Sequence, residues 1–545
     1  MNSIARGLLA LVALEVILDL APIVSLSWPL LAEVVWLILL VAVILYAIIS
    51  VSWIFRERLS TGHAAAVFML LYHLGFICFF LTQPYSASHE TANQIACGLE
   101  RLQDLGSAFQ KNCFLGYPAR GYALAALPSL LLGRNHFALN FGGALPLLIG
   151  YLIFAAGTAT HLRARPGGSW ILCAALTLPL HFFYITHFTM MYEQSAHPFA
   201  LGLALVGLGF IYLEFRRELE LSLIAVVLLE LAYTYTTGLA LLGLALVLLG
   251  CELLRARAKR LPCWQLGTTL LLVLIDAALT FVFREDVRFL SHEPGTGPAK
   301  LIEDLREGFW VLLTGGADVR VMSYISLALL VVLPLAGIFT KRLRALTLLC
   351  TLWIIATFGL ALCSQGYATY VVQFRLHRAI VICPILMMLL VLCLEPLAPR
   401  RAVPITLALL LFMTGVLFQS SYVGEKMAYQ FMIHLNTREF SRHLAFIQHV
   451  EAQIGLQPEV DHGVVYIARE IHENFASLGD QLHYYLPHVE QRELRVPCPP
   501  AADGEITIYA QPEESSCIPA APLWRRISDF SFLDEPTARV YVAQH

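Results

Sequence analysis

Basic residues in this chain recur in every second connection between long apolar segments, and that alternation constrains the fold more than any other feature. The apolar runs are Leu8 to Val24, Leu30 to Phe55, Gly62 to Leu81, Phe137 to Thr160, Trp170 to Ile185, Pro198 to Leu213, Leu221 to Tyr235, Gly238 to Leu254, Trp264 to Phe283, Val321 to Thr340, Ala345 to Cys363, Ala379 to Leu394 and Pro404 to Ser420. Each is near the length of about 20 residues that a helix needs to cross lipid, so the expected fold is an α-helical polytopic membrane protein with about thirteen spans. Arg56 with Arg58, Arg163 with Arg165, Arg216 with Arg217, the cluster from Arg255 to Arg260, Lys341 to Arg344, and Arg400 with Arg401 mark the loops that face the cytoplasm.

The same rule puts the N-terminus inside and everything after the last span outside, as expected of a protein in a bacterial inner membrane with a periplasmic or extracellular C-terminus. Residues 1–421 then form a transmembrane unit carrying two large outer loops, 82–136 and 284–320. Residues 422–545 form a small outer α/β domain. In it Val464 to Ala468, Ile506 to Ala510 and Arg539 to Val542 read as strands, and Glu470 to Leu486 reads as a helix. The composition, 58% hydrophobic and 14% charged with a formal net charge of -3, excludes an ordinary soluble enzyme and offers nucleic acid no electrostatic footing.

Of 12 cysteines, most sit in or beside apolar runs as small buried hydrophobes. Cys97 and Cys113 share the first outer loop, and Cys498 and Cys517 share the outer tail. Even pairs on an oxidising side predict two disulfides, with free thiols as the alternative. No Cys or His spacing demands a metal.

Chemistry is expected in the first outer loop. Tyr85-Ser86-Ala87-Ser88-His89-Glu90-Thr91 follows the third span directly, which places Glu90 at the membrane surface as a candidate general base; the alternative is that Ser88 caps a helix and Glu90 merely favours its first turn. Gly116-Tyr117-Pro118 leads into Gly121 to Leu132, too short for a span and bounded by Arg120 and Arg134, so a surface helix is expected. Two spans later the chain returns to the outer side at Met191-Tyr192-Glu193-Gln194-Ser195-Ala196-His197-Pro198.

That order resembles the C superfamily of membrane glycosyltransferases, which includes protein O-mannosyltransferases and the aminoarabinose transferase of lipid A. Those enzymes have an acidic motif in the first outer loop, surface helices, and a second acidic site before a later span. His89-Glu90, Gly121-Tyr122-Ala123-Leu124 and Glu193 to Pro198 stand at those places here, and useful motifs extend over roughly Thr82 to Leu213. Where many relatives have Asp-Glu this chain has His89-Glu90, so only Glu90 inherits the carboxylate role.

One short outer loop breaks the charge rule. Arg375, His377 and Arg378 precede a span, and cations on the outer side need a reason; an anion at the membrane surface supplies one, lipid-headgroup anchoring another. The resemblance implies the phosphate of a polyprenyl-phosphate sugar. Within the spans, Glu15, Asp19, Glu33, Glu230 and Asp276 must face protein or water. Glu230, followed by Tyr233-Thr234-Tyr235-Thr236-Thr237, is a candidate for the wall of a donor cavity, and helix-to-helix hydrogen bonding suits the others.

The implied activity is transfer of a sugar from a polyprenyl-phosphate donor to a hydroxyl on a glycan, lipid or protein acceptor, by one inverting displacement at the outer face. Glu90 and Glu193 carry the catalysis, and Tyr85, His89, Tyr192, His197, Glu230, Arg375, His377 and Arg378 bind substrate. No cofactor is required, although His89 and His197 beside the two carboxylates leave room for a divalent metal. Two other classes share parts of this pattern: a flippase of lipid-linked sugars, against which stands the lack of repeated spacing between the halves, and a non-catalytic envelope scaffold.

Overall fold

A computed structural model describes residues 2–20, 29–54, 61–81, 89–103, 119–176, 196–234, 236–261, 263–283, 335, 337–341, 343–363, 383–397, 463–468, 483–494, 506–511, 524–532 and 535–543. The helices are α1 (Asn2–Leu20), α2 (Pro29–Ile54), α3 (Thr61–Leu81), α4 (His89–Gln103), α5 (Ala123–Leu132), α6 (His136–Leu162), α7 (Ala196–Phe215), α8 (Glu218–Ala232), α9 (Thr236–Ala258), α10 (Trp264–Phe283), α11 (Arg344–Cys363) and α12 (Cys383–Leu394). Among the described residues four stretches are long and apolar enough to cross a bilayer: Leu30–Ser52, His136–Leu162, His197–Phe215 and Gly238–Ala258. The protein is an integral membrane protein. The expected span Pro404 to Ser420 and most of Val321 to Thr340 lie outside the described residues.

α2 shows how such helices pack. It is apolar all round: Val34, Ile38, Val41, Leu45 and Ile48 are exposed on one side, while Val35, Trp36, Leu39, Leu40 and Val43 are buried on the other. Hydrophobicity therefore does not choose the inward face. Polar anchors and close backbone approach do so. Trp36 and Tyr46 hydrogen-bond Glu230 and Glu220 of α8, and their order makes α2 antiparallel to α8. Ser222 bonds the Ala5 carbonyl at 3.1 Å and Tyr233 bonds Asp19 at 3.0 Å, so α1 runs parallel to α8.

α6 and α7 meet through glycines. A Cβ at Gly150 would collide with the Ala200 carbonyl, and one at Gly157 with the Gly207 carbonyl. These pairs make α6 and α7 parallel, so the chain must cross back between them; a helix begins at 168–176. The alternating charges require the same return.

The bundle thus has two polar ends. At one, Arg6 lies 3.7 Å from Glu218, Arg216 pairs with Glu252, and His161 and Arg165 reach Glu395 at 3.3 and 3.2 Å. Asp19, Arg120, Tyr233 and Asp276 gather at the other.

Between α4 and α5 a 3-10 turn, Ala119–Tyr122, leads into the short α5, which packs on α4 and α6. The expected surface helix is present from Ala123, but Arg120 does not bound it on the outside. Its side chain is only 2% exposed, because Glu15 and Asp19 supply the charge that permits burial. α4 is amphipathic: Ala92, Ile95, Ala96 and Leu99 recur at helical spacing and bury against Ala126, Leu139 and Tyr484.

The C-terminal part contains a five-stranded sheet of order β2-β1-β3-β5-β4, formed by β1 (Gly463–Ala468), β2 (Val489–Leu494), β3 (Ile506–Gln511), β4 (Trp524–Phe532) and β5 (Glu535–Ala543). β1 pairs in parallel with β2 and β3, and β5 pairs antiparallel with β3 and β4. The expected strands fall within β1, β3 and β5. Among the described strands β2 and β4 are the outermost, and charged residues in their sequences, such as Glu490, Arg492, Arg525 and Arg526, interrupt the apolar alternation from which a strand is read. Of the expected helix Glu470 to Leu486, residues 483–485 are helical and the remainder lies outside the described residues, apart from Leu486, which follows the helix.

Candidate active site

The polar end around Arg120 is built from five elements. Arg120 comes from the 3-10 turn, Glu15 and Asp19 from α1, Trp36 from α2, Glu230 from α8 with Tyr233 just after it, and Asp276 from α10. Glu15 and Asp19 are four residues apart and so share one face of α1. Arg120 Nη1 donates to Asp19 Oδ2 at 2.8 Å, and Nη2 lies 2.5 Å from Glu15 Oε1. Tyr233 Oη lies 3.0 Å from Asp19 Oδ2 and 3.3 Å from Asp276 Oδ1. The guanidinium carbon sits 4.3 Å from the Tyr233 ring centroid and 5.7 Å from that of Trp36, so both rings add cation-π attraction in a dry setting. All these side chains are buried.

Trp36 connects this cluster to a second one. Its indole Nε1 donates to Glu230 Oε2 at 3.0 Å, and His197 Nε2, at the start of α7, lies 3.9 Å from Glu230 Oε1. Glu230 also lines a cavity of about 20 Å³, room for about one water molecule, between Leu40, Leu124, Ile149 and Ala204.

Two glycines allow this convergence. A Cβ at Gly121 would strike the Tyr233 carbonyl, and one at Gly98 would strike the carbonyl of Tyr122. The 3-10 turn is therefore wedged between α4 and the end of α8, and Gly121 brings its backbone to the His197 ring.

Of the candidates from sequence, His197 and Glu230 are brought together. His89 and Glu90 are the first two residues of α4, the helix on which the turn rests. Cys97, buried on α4, is disulfide-bonded, and Cys113 lies outside the described residues. So do Tyr85, Tyr192, Glu193, Arg375, His377, Arg378, Cys498 and Cys517. Among the described residues no group of three or more His, Cys, Asp or Glu is arranged to hold a metal ion.

Arg120 and Trp36 are the members that sequence reasoning missed, while Tyr233, expected beside Glu230 in a cavity wall, instead bonds Asp19 and Asp276. A signal existed for the first: two carboxylates at i and i+4 inside an apolar run cannot be buried without a cation. Chemically, this guanidinium is committed to internal carboxylates. It serves to hold α1, α8, α10 and the turn in one arrangement rather than to bind an external anion.

No family model matches the chain, and no curated protein does. Among solved structures, this chain is similar to ArnT. The crystal structure of ArnT from Cupriavidus metallidurans in the apo state is 15% identical, with a TM-score of 0.48 over 89% of this chain and 98% of that one. The same protein bound to undecaprenyl phosphate is 13% identical, with a TM-score of 0.47 over 87% and 97% of the two chains.

Proposed function

We propose that this protein is a membrane glycosyltransferase that moves a sugar from a polyprenyl phosphate to a hydroxyl acceptor at the outer face. The observation that carries the reading is the setting of α4: the residues His89 and Glu90 open a helix that follows α3 and is seated on the Arg120 turn through Gly98. A carboxylate on an anchored helix beside the membrane surface is suited to a base that must meet a lipid-borne substrate.

Glu90 takes the proton from the acceptor hydroxyl as its oxygen attacks the anomeric carbon. The bond from that carbon to the phosphate oxygen breaks, its electron pair leaves with the phosphate, and the anomeric centre inverts. Arg375, His377 and Arg378 hold the leaving phosphate, where charge develops. Glu193, with Tyr192 and His197, positions the acceptor or steadies the positive charge that develops on the sugar. Tyr85 and His89 complete the acceptor side, and Glu230 belongs to the donor cavity wall. In this reading residues 1–421 form the transferase unit, with its N-terminus cytoplasmic in a bacterial inner membrane. Residues 422–545 form an outer domain with the disulfide Cys498–Cys517, and Cys97–Cys113 closes the first outer loop.

The test is Glu90→Gln, which keeps shape but cannot accept the proton. Release of polyprenyl phosphate from a panel of polyprenyl-phosphate pentoses and hexoses, with native membranes as acceptor, should slow by about 100-fold. Binding of polyprenyl phosphate should be unchanged. Turnover equal to wild type would move the assignment to a scaffold, because a capping role for Glu90 predicts only about 1 kcal/mol of lost stability.

A further inference from the structure

The C-terminal sheet reaches the transmembrane bundle through the crossover that joins β1 to β2. A parallel pair such as β1 and β2 requires a long connection. Its last part, 483–486, lies against α4, α5 and the turn that starts α6, and Val489 N bonds the Leu486 carbonyl at 3.0 Å as the chain enters β2. The contact is specific. Tyr484 is fully buried, with its ring among Ile95, Leu99, Ala126 and Leu139. Its hydroxyl donates to the Asn135 carbonyl at 3.3 Å and pairs with Ser129 Oγ at 2.7 Å. Burial pushes that phenol up to about 12, so the hydroxyl stays neutral.

Charges close both sides of this socket. Arg134 Nη1 donates to the carbonyls of His483 and Tyr484 at 3.2 and 3.1 Å. His483 Nε2 lies 2.6 Å from Glu100 Oε1. Glu100 stands in the last turn of α4, where the negative end of the helix dipole disfavours a carboxylate, so a hydrogen-bonded imidazole is a suitable partner.

α4 has 15 residues, a length at which an isolated helix is marginal in water. Its order must come from what covers its apolar face. Among the described residues α5, α6 and the 3-10 turn cover part of that face, and Tyr484 packs against Ile95 and Leu99 on it. We infer that Tyr484 is a positioning residue: seated by the β1–β2 crossover, it fixes α4 and with it the His89-Glu90 end for sugar transfer. The C-terminal sheet is then a brace for the catalytic helix. This rests on the reading of Glu90 as the base.

The experiment compares full-length Tyr484→Ala, Tyr484→Phe and wild type in lipid nanodiscs. Hydrogen exchange over 89–103, binding of polyprenyl phosphate and release of polyprenyl phosphate from the sugar panel are measured for each. In Tyr484→Ala exchange over 89–103 should rise about 10-fold and kcat should fall about 10-fold, with polyprenyl phosphate affinity within about twofold of wild type. Tyr484→Phe, which keeps the ring and loses the hydroxyl bonds, should recover most of both losses. If Tyr484→Ala does not fold, His483→Gln serves instead and should shift exchange and kcat in the same directions by a smaller factor. Unchanged kcat beside raised exchange overturns the inference, as does unchanged exchange. Glu90→Gln, run alongside, separates the two failures. Normal transfer by Glu90→Gln removes the base assignment, whereas slow transfer by it beside normal transfer by Tyr484→Ala removes only the brace.

Discussion

At one end of the bundle arginines meet carboxylates one or two at a time near solvent. Arg6, Arg216 and Arg255 keep 64%, 40% and 54% of their side-chain surface exposed. At the other end a single guanidinium, 2% exposed, is shared by Glu15 and Asp19, with Asp276 one hydroxyl away. Both ends use the same residue types, yet their energetics differ in kind. Exposed pairs gain little, because water and salt screen them and ordering long side chains costs entropy. A buried arginine holds little net stability over an apolar replacement, but losing it strands the carboxylates it neutralises. The exposed end adds little to how the helices meet, and the Arg120 end fixes it.

The sharpest way to break that comparison is to delete one arginine from each end. Arg120→Ala should cost about 3–5 kcal/mol, since Glu15 and Asp19 stay buried without their cation. Arg216→Ala should cost about 1 kcal/mol or less. Thermal unfolding in detergent reads both. Restoring neutrality tests the cause: Arg120→Met with Glu15→Gln and Asp19→Asn should recover most of the loss. Equal costs at the two ends would show that burial does not govern them.

Much of this contrast was legible in the sequence, though unevenly. The helices α1 to α3 and α6 to α11 fall near the expected apolar runs, and four of those stretches are long and apolar enough to cross a bilayer, a length of about 20 residues that the bilayer itself demands. The exposed arginines were readable for the same reason. Arg120 was not, because its partners lie 101 residues away for Asp19 and further for Glu15, and no local pattern joins a loop cation to carboxylates on the first helix. Nor could periodicity reveal Tyr484, which enters the α4 core from 349 residues beyond Asn135. Hydropathy reports what faces lipid. It is silent on which polar groups find each other inside.

A smaller effect sharpens the account of the buried end. Tyr233→Phe keeps the ring under Arg120, so the cation-π contact survives, but removes the hydroxyl between Asp19 and Asp276. Asp19 Oδ2 keeps the Arg120 donor, whereas Asp276 Oδ1 loses this one, and stripping a buried acceptor of its donor should cost about 1–3 kcal/mol. Denaturant unfolding of Tyr233→Phe measures it. A change below the error of that measurement would mean that the hydroxyl is not holding α1 to α10, and that Arg120 carries the junction alone.

The smallest effect belongs to the exposed end and depends on several terms cancelling. Arg216 has φ of 52°, a left-handed conformation that ends α7, with its N–H bonded to the Tyr212 carbonyl at 2.7 Å. Holding a residue with a Cβ there costs about 1–2 kcal/mol, and glycine escapes that cost. Arg216→Gly also loses the Glu252 pair, worth about 0–1 kcal/mol, and the stacking of the guanidinium 5.2 Å from the Tyr212 ring, worth about 0.5–1 kcal/mol. The added freedom of glycine in the unfolded chain removes about 0.5–1 kcal/mol more. The gain and the losses nearly balance, so unfolding stability should stay within about 1 kcal/mol of wild type, and raising salt should shrink the difference further as the pair is screened. A loss above about 2 kcal/mol, insensitive to salt, would show that Arg216 is held as tightly as Arg120 and that the two ends do the same job.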